Sequence, residues 1–140
     1  MQNALVLNSY REPARTRTAY AFVKRSFDII CSLLLIVLLM PVLLVVAAIS
    51  AADTKSNPLF IQTRMGRNNR PFRMIKFRTM SPHAPSNVAT HRFADALHYI
   101  SPVGGALRKL SLDELPQLFN ILVGNMSFVG PRPVVLTETD

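Results

Sequence analysis

Residues 29–52 read IICSLLLIVLLMPVLLVVAAISAA, 24 positions without a charged side chain, bounded by Asp28 and Asp53. As a helix this stretch is about 36 Å long, against a hydrocarbon core of about 30 Å. Three readings compete. In a secretory signal peptide, Ser50-Ala51-Ala52 would supply the small residues of a cleavage site. The apolar region of such a peptide is about 7–15 residues, shorter than this one. A single transmembrane span suits the length and apolarity, but the flanks oppose it. Arg11, Arg15, Arg17, Lys24 and Arg25 precede the run, and Lys55, Arg64, Arg67, Arg70 and Arg73 follow it. Positive charge holds a flank in the cytoplasm, and one span cannot keep both there. The third reading is a re-entrant segment that turns at Pro41. Proline has no N–H to give and crowds the preceding turn, so it kinks or breaks a helix. Residues 29–40 would reach about 18 Å, roughly one leaflet. Pro41 alone leaves a kink and a turn equally open; the two-sided basic flank favours the turn. The expectation is a re-entrant membrane helix-break-helix over residues 24–53 with its break at Pro41.

Composition sets the frame for the rest. The chain has 140 residues, 49% apolar, with 16 Lys+Arg against 8 Asp+Glu for a net charge of +8. That excludes disorder as the overall state. One cysteine excludes an internal disulfide framework. The positive charge admits nucleic acid, lipid headgroups or phosphorylated substrates as partners. Residues 1–23 are polar, contain Pro13 and read as a flexible basic leader. Lys24-Arg25, directly before the apolar run, suits snorkelling to the membrane interface.

The third unit spans residues 54–140. Residues 59–63 and 72–77 read as strands around a turn at 66–70, a small β-hairpin. Six cations, Arg64, Arg67, Arg70, Arg73, Lys76 and Arg78, fall on it and its end with no acid among them. Most suit an anionic lipid surface. For Lys76 and Arg78, set among Ile75, Phe77 and Met80, anion binding is an equal reading. Residues 81–90 form a loop, 92–99 a short helix, and Ser101-Pro102-Val103-Gly104-Gly105 a turn.

The most informative segment is 111–122. Leu112, Leu115, Leu118, Phe119 and Leu122 mark one apolar helical stripe, with Ser111 as N-cap and Gly124 as stop. Asp113 and Glu114 sit at its start. Ser111-x-x-Glu114 fits a capping box, and Asp113 suits a helix dipole. Scarcity speaks for a further role. Between Thr54 and Thr137 the acids are Asp95, Asp113 and Glu114. Arg108 and Lys109 come just before the pair, and Arg132 follows in Pro131-Arg132-Pro133. Two carboxylates near several cations fit magnesium-assisted chemistry on a phosphate ester.

Five motifs occur in order: Lys24-Arg25-x-Phe27-Asp28, the apolar run with its central Pro41, Lys76-Phe77-Arg78-Thr79-Met80, the segment from Leu112 to Asn120, and Met126-Ser127-Phe128-Val129-Gly130-Pro131-Arg132-Pro133. In this the chain resembles the bacterial sugar transferase family, the monotopic polyprenyl-phosphate phosphoglycosyl transferases, and most closely members that initiate exopolysaccharide repeat units. The resemblance implies an α+β, mainly helical fold with amphipathic and catalytic helices at the membrane interface. It implies transfer of a sugar 1-phosphate from a UDP-sugar to undecaprenyl phosphate, giving the polyprenyl diphosphate sugar and UMP. Asp113 would be the nucleophile of an aspartyl phosphosugar intermediate, and Glu114 with Asp113 would hold Mg2+. Arg108, Arg132, Lys76 and Arg78 would bind phosphates. The expected place is the bacterial inner membrane with the catalytic domain on the cytoplasmic face, among inner-membrane lipids and without nucleic acid.

Two departures from the family pattern stand out. An arginine expected before the turn is replaced within Leu97-His98-Tyr99-Ile100, and the family continues past Pro-Arg-Pro, so residues 54–140 are expected to be an incomplete catalytic domain. That motivates an alternative, a truncated non-catalytic protein that binds polyprenyl phosphate or a partner and modulates polysaccharide synthesis. A nucleic-acid module ranks last, since it needs more aromatics among the arginines than Phe72 and Phe77 and leaves Asp113-Glu114 without a role. Which sugar is transferred, and the oligomeric state, are not encoded in any readable pattern.

Overall fold

The computed structural model describes residues 18–66, 70–84, 96–131 and 133–135. Residues 1–17 of the leader, 85–90 of the loop, 92–95 of the expected helix, and Arg132 lie outside the described residues. Residues 18–23, expected as the end of a flexible leader, are instead helical, continuous with the apolar run that follows them.

One helix, α1, runs from Thr18 to Thr54 with Pro41 inside it. The expected break at Pro41 is corrected: the helix continues through it. Its neighbours explain this. Met40 and Val42 are not turn formers, and a chain reversal has no glycine or small polar residue to use there. Pro41 also lies on the exposed side of α1, where its disturbed turn meets no packed neighbour. Lys55, with φ 49°, ends the helix.

Strands β1 (Leu59–Met65) and β2 (Pro71–Phe77) form the expected antiparallel hairpin, pairing Leu59 with Phe77 and Met65 with Pro71. A short β3 (Val134–Val135) pairs antiparallel with the other edge of β1, giving the order β2-β1-β3. A 3-10 turn covers Ala96–Tyr99. Helix α2 spans Pro102–Lys109, a 3-10 turn spans Leu112–Glu114, and helix α3 spans Gln117–Val123.

Two of these differ from expectation. Ser101-Pro102-Val103-Gly104-Gly105 is not a turn but the start of α2. Ser101 is its N-cap, with the side-chain oxygen accepting from Gly104 N at 2.8 Å. The glycines misled because one is needed for contact rather than for bending: a Cβ on Gly104 would collide with the Thr79 carbonyl. The single helix expected from Ser111 is split. Ser111 is left-handed at φ 57° and its side chain caps nothing. Pro116 is the reason: it cannot donate to the Leu112 carbonyl and crowds it, so the chain tightens to 3-10 bonds and α3 starts afresh at Pro116. The stop at Gly124 is as expected, with φ 96°. The restart also re-phases the stripe. Leu118 and Ile121 are buried, whereas Phe119 is exposed.

The core sits along one side of α1. Leu43 and Val46 pack with Phe77 of β2 and Leu107 of α2, and Ile36 packs with Leu118 and Ile121 of α3. The apolar run thus supplies the core of the segment that follows it.

Candidate active site

Asp113 and Glu114 lie on the tight turn between α2 and α3. Asp113 is buried, 8% exposed. Burial pushes its carboxyl above the ordinary aspartate value; the opposing pull of the Lys76 charge does not offset this, the Glu114 charge adds to it, and Arg108 and a backbone hydrogen bond pull back more weakly. Lys76 Nζ lies 3.4 Å from Glu114 Oε1. Lys76 therefore reaches the pair from β2, and Arg108 faces it from the last turn of α2. The Arg108 guanidinium is oriented by Nε, which donates to Thr79 Oγ1 at 2.8 Å, and Thr79 itself is buried.

Four expected site residues thus meet: Asp113, Glu114, Lys76 and Arg108. Arg78 turns elsewhere. Its Nε donates to the Asn57 carbonyl at 3.0 Å, and its guanidinium lies over the Phe60 ring, 5.9 Å from the centroid. Its position one residue past β2 accounts for this. Arg132 lies outside the described residues. The partial charge of a helix N-terminus, expected at the pair, does not apply in that form, because α3 begins only after Pro116 and has two turns.

Asn120 is a site-building residue that the periodicity concealed. It is 2% exposed. Its Oδ1 accepts from Ile75 N at 3.0 Å and its Nδ2 donates to Arg73 O at 2.7 Å. β2 is an edge strand on this side, so Asn120 completes its unpaired groups and docks α3 on it. The docking sets Lys76, the next residue of β2, opposite Glu114. An amide amid Leu118, Phe119 and Ile121 was the signal available in the sequence.

Among the described residues no three His, Cys, Asp or Glu converge as a metal cage. Two adjacent carboxylates are instead the donor set that suits Mg2+, which binds through one or two carboxylates and fills its shell with phosphate oxygens and water.

The sequence matches one known family across residues 19–140, described as bacterial sugar transferase. The chain belongs to the bacterial sugar transferase family. Its relatives carry matching names. It is 41% identical, over 86% of its length, to the UDP-N-acetylgalactosamine-undecaprenyl-phosphate N-acetylgalactosaminephosphotransferase of Aeromonas hydrophila. It is 44% identical over 79% of its length to the undecaprenyl-phosphate glucose phosphotransferase of Komagataeibacter xylinus. With the exopolysaccharide production protein ExoY of Rhizobium meliloti it shares 35% over 92% of its length. The chain spans 28%, 21% and 63% of these relatives, respectively.

Proposed function

We propose that this bacterial sugar transferase carries the catalytic centre for moving a sugar 1-phosphate from a UDP-sugar to undecaprenyl phosphate, the initiating step of a surface polysaccharide. The observation that carries the reading is the buried Asp113 carboxyl set between Glu114 and the cations Lys76 and Arg108.

The chemistry runs in two displacements. The ionised Asp113 carboxylate attacks the sugar-bearing phosphorus of the donor. The bond from that phosphorus to the bridging oxygen breaks, and UMP leaves with the bond's electron pair. The sugar phosphate is now an acyl phosphate on Asp113. A phosphate oxygen of undecaprenyl phosphate then attacks the same phosphorus, the bond to Asp113 breaks, and the carboxylate is restored. A carboxylate approaching a diphosphate meets repulsion, so cations must face the reacting phosphate. Lys76 and Arg108, the cations acting on Asp113, would do this. Glu114 and Asp113 would hold Mg2+, which when bound neutralises charge on the diphosphate. Burial supports the nucleophile's role: a carboxylate stripped of water gives up less hydration on attack.

The exposure pattern of α1 supports a placement in the membrane interface. Its buried residues Asp28, Ser32, Ile36, Leu43, Val46 and Ser50 fall in one stripe about 80° wide and about 33 Å long. The opposite face is apolar and exposed, with Val37 and Leu38 each at 67%. Protein covers the stripe from end to end, so a crossing helix would carry Lys76, Glu114 and Arg78 into hydrocarbon. In the proposed placement α1 lies in the interface of the inner membrane, exposed face in lipid, with both ends and the site toward the cytoplasm.

The test is UMP release from a panel of UDP-sugars by the purified chain with undecaprenyl phosphate and Mg2+. At least one donor should give UMP, and Asp113→Asn should not. Equal silence of both proteins on every donor would overturn the transfer reading.

A further inference from the structure

The motif Lys24-Arg25-x-Phe27-Asp28 takes no part in the chemistry above, and Arg25 does not snorkel to the interface. Its guanidinium donates to Ile121 O at 2.7 Å and to Leu122 O at 2.6 Å, carbonyls of the last turn of α3. Gly124 closes that turn, and a Cβ there would lie 3.3 Å from the same guanidinium. Asp28, 4% exposed, accepts from Phe128 N at 3.3 Å. The Phe27 ring meets the Phe128 ring edge-on, centroids 6.4 Å apart. One turn of α1 therefore grips the end of α3 and the loop beyond it.

These contacts have a physical logic. The last carbonyls of a helix lack helical donors, and a planar guanidinium can serve two of them at once. A two-turn helix holds its place through tertiary contacts rather than its own stability. A carboxylate buried on an apolar helix is costly unless hydrogen-bonded, and packing alone would be met by leucine.

We infer that Arg25 and Asp28 are positioning residues for the phosphosugar transfer: by clamping the far end of α3 and the loop through Phe128, they hold the Asp113-Glu114 turn at its near end in register with Lys76 and Arg108. The inference rests on the proposed transfer reaction. Its expected signature is a loss in kcat at nearly constant KM, because small displacements of reacting groups act on the chemical step.

The experiment uses the full chain in nanodiscs of phosphatidylethanolamine and phosphatidylglycerol. Asp28→Ala should lower kcat for UMP release by about tenfold or more, while Asp28→Asn, which keeps the acceptor oxygen, should stay within about threefold of wild type. Hydrogen exchange at the Phe128 amide should speed up in Asp28→Ala and not in Asp28→Asn. Arg25→Lys keeps a charge but loses the fork. It should lower kcat with membrane binding unchanged, and it tests the clamp should Asp28→Ala not accumulate. Asp28→Asn falling as far as Asp28→Ala would overturn the inference, as would wild-type kcat in Asp28→Ala or in Arg25→Lys. Wild-type silence on every donor would strike the transfer reading instead. Exchange then decides the clamp, and unchanged exchange at Phe128 in Asp28→Ala would overturn it.

Discussion

Asp113 and Asn120 are seven residues apart, and both side chains are buried. Asn120 has each end of its amide bonded to the backbone of β2. Asp113 faces two cations, yet burial still outweighs them. The helix face holding Asn120 is satisfied and builds the structure. The turn holding Asp113 keeps an electrostatic cost that a proton, a bound substrate or a cation would relieve. Buried polarity with complete partners thus marks scaffold, and buried charge left under strain marks chemistry.

Three experiments would break or sharpen that contrast. The largest effect is expected at Asp113. Asp113→Asn should reduce UMP release by about a thousandfold or more, and at neutral pH it should also raise Tm by a few degrees. The sign follows from the raised carboxyl. The folded state binds this proton more tightly than the unfolded state. The stability that Asp113 contributes is complete below the ordinary aspartate range and is lost as pH rises through the raised value. The advantage of asparagine should therefore be absent at low pH and grow over that interval. A variant less stable than wild type at neutral pH would contradict it.

Asn120→Ala comes next, with the opposite balance. It strands a buried N–H and a buried carbonyl, costing about 2–4 kcal/mol, seen as a lower Tm in detergent or nanodiscs. Its residual folded fraction should still release UMP. Selective loss of activity at unchanged Tm would make Asn120 part of the chemistry.

The smallest effects are shifts in pH profile. Lys76 lowers the Asp113 carboxyl and Glu114 raises it. Lys76→Gln should move the acid limb of kcat/KM to higher pH, and Glu114→Gln should move it to lower pH. Shifts in the same direction would show that neither residue acts on Asp113 through its charge.

Legibility in the sequence varied with the range of the forces involved. The hairpin was readable because alternation and a turn are local. The pair Asp113-Glu114 stood out through scarcity of acids, and Lys76 and Arg108 through charge near it. The split before α3 is hidden because the apolar stripe runs unbroken across Pro116, whose missing N–H decides the local geometry. Helix α2 was hidden by Gly104, needed for approach to Thr79, a long-range fact with no local sign. Pro41 misled in the other direction: a strong breaker was outvoted by apolar neighbours that offered no turn. The roles of Arg25 and Asn120 depend on partners 96 and 45 residues away, and no periodicity reports these.

The buried stripe of α1 has a consequence for biogenesis. This helix is synthesised before every element that packs on it, and Arg25 waits for a carbonyl 97 residues downstream. In the proposed placement the later segment would close its long-range contacts onto a helix that reaches the bilayer first. In that placement lipid would receive one face of the helix early. The other face, with Asp28, Ser32 and Ser50 already in place, serves as a template on which the later segment condenses, so targeting to the membrane and completion of the core become successive stages of one process.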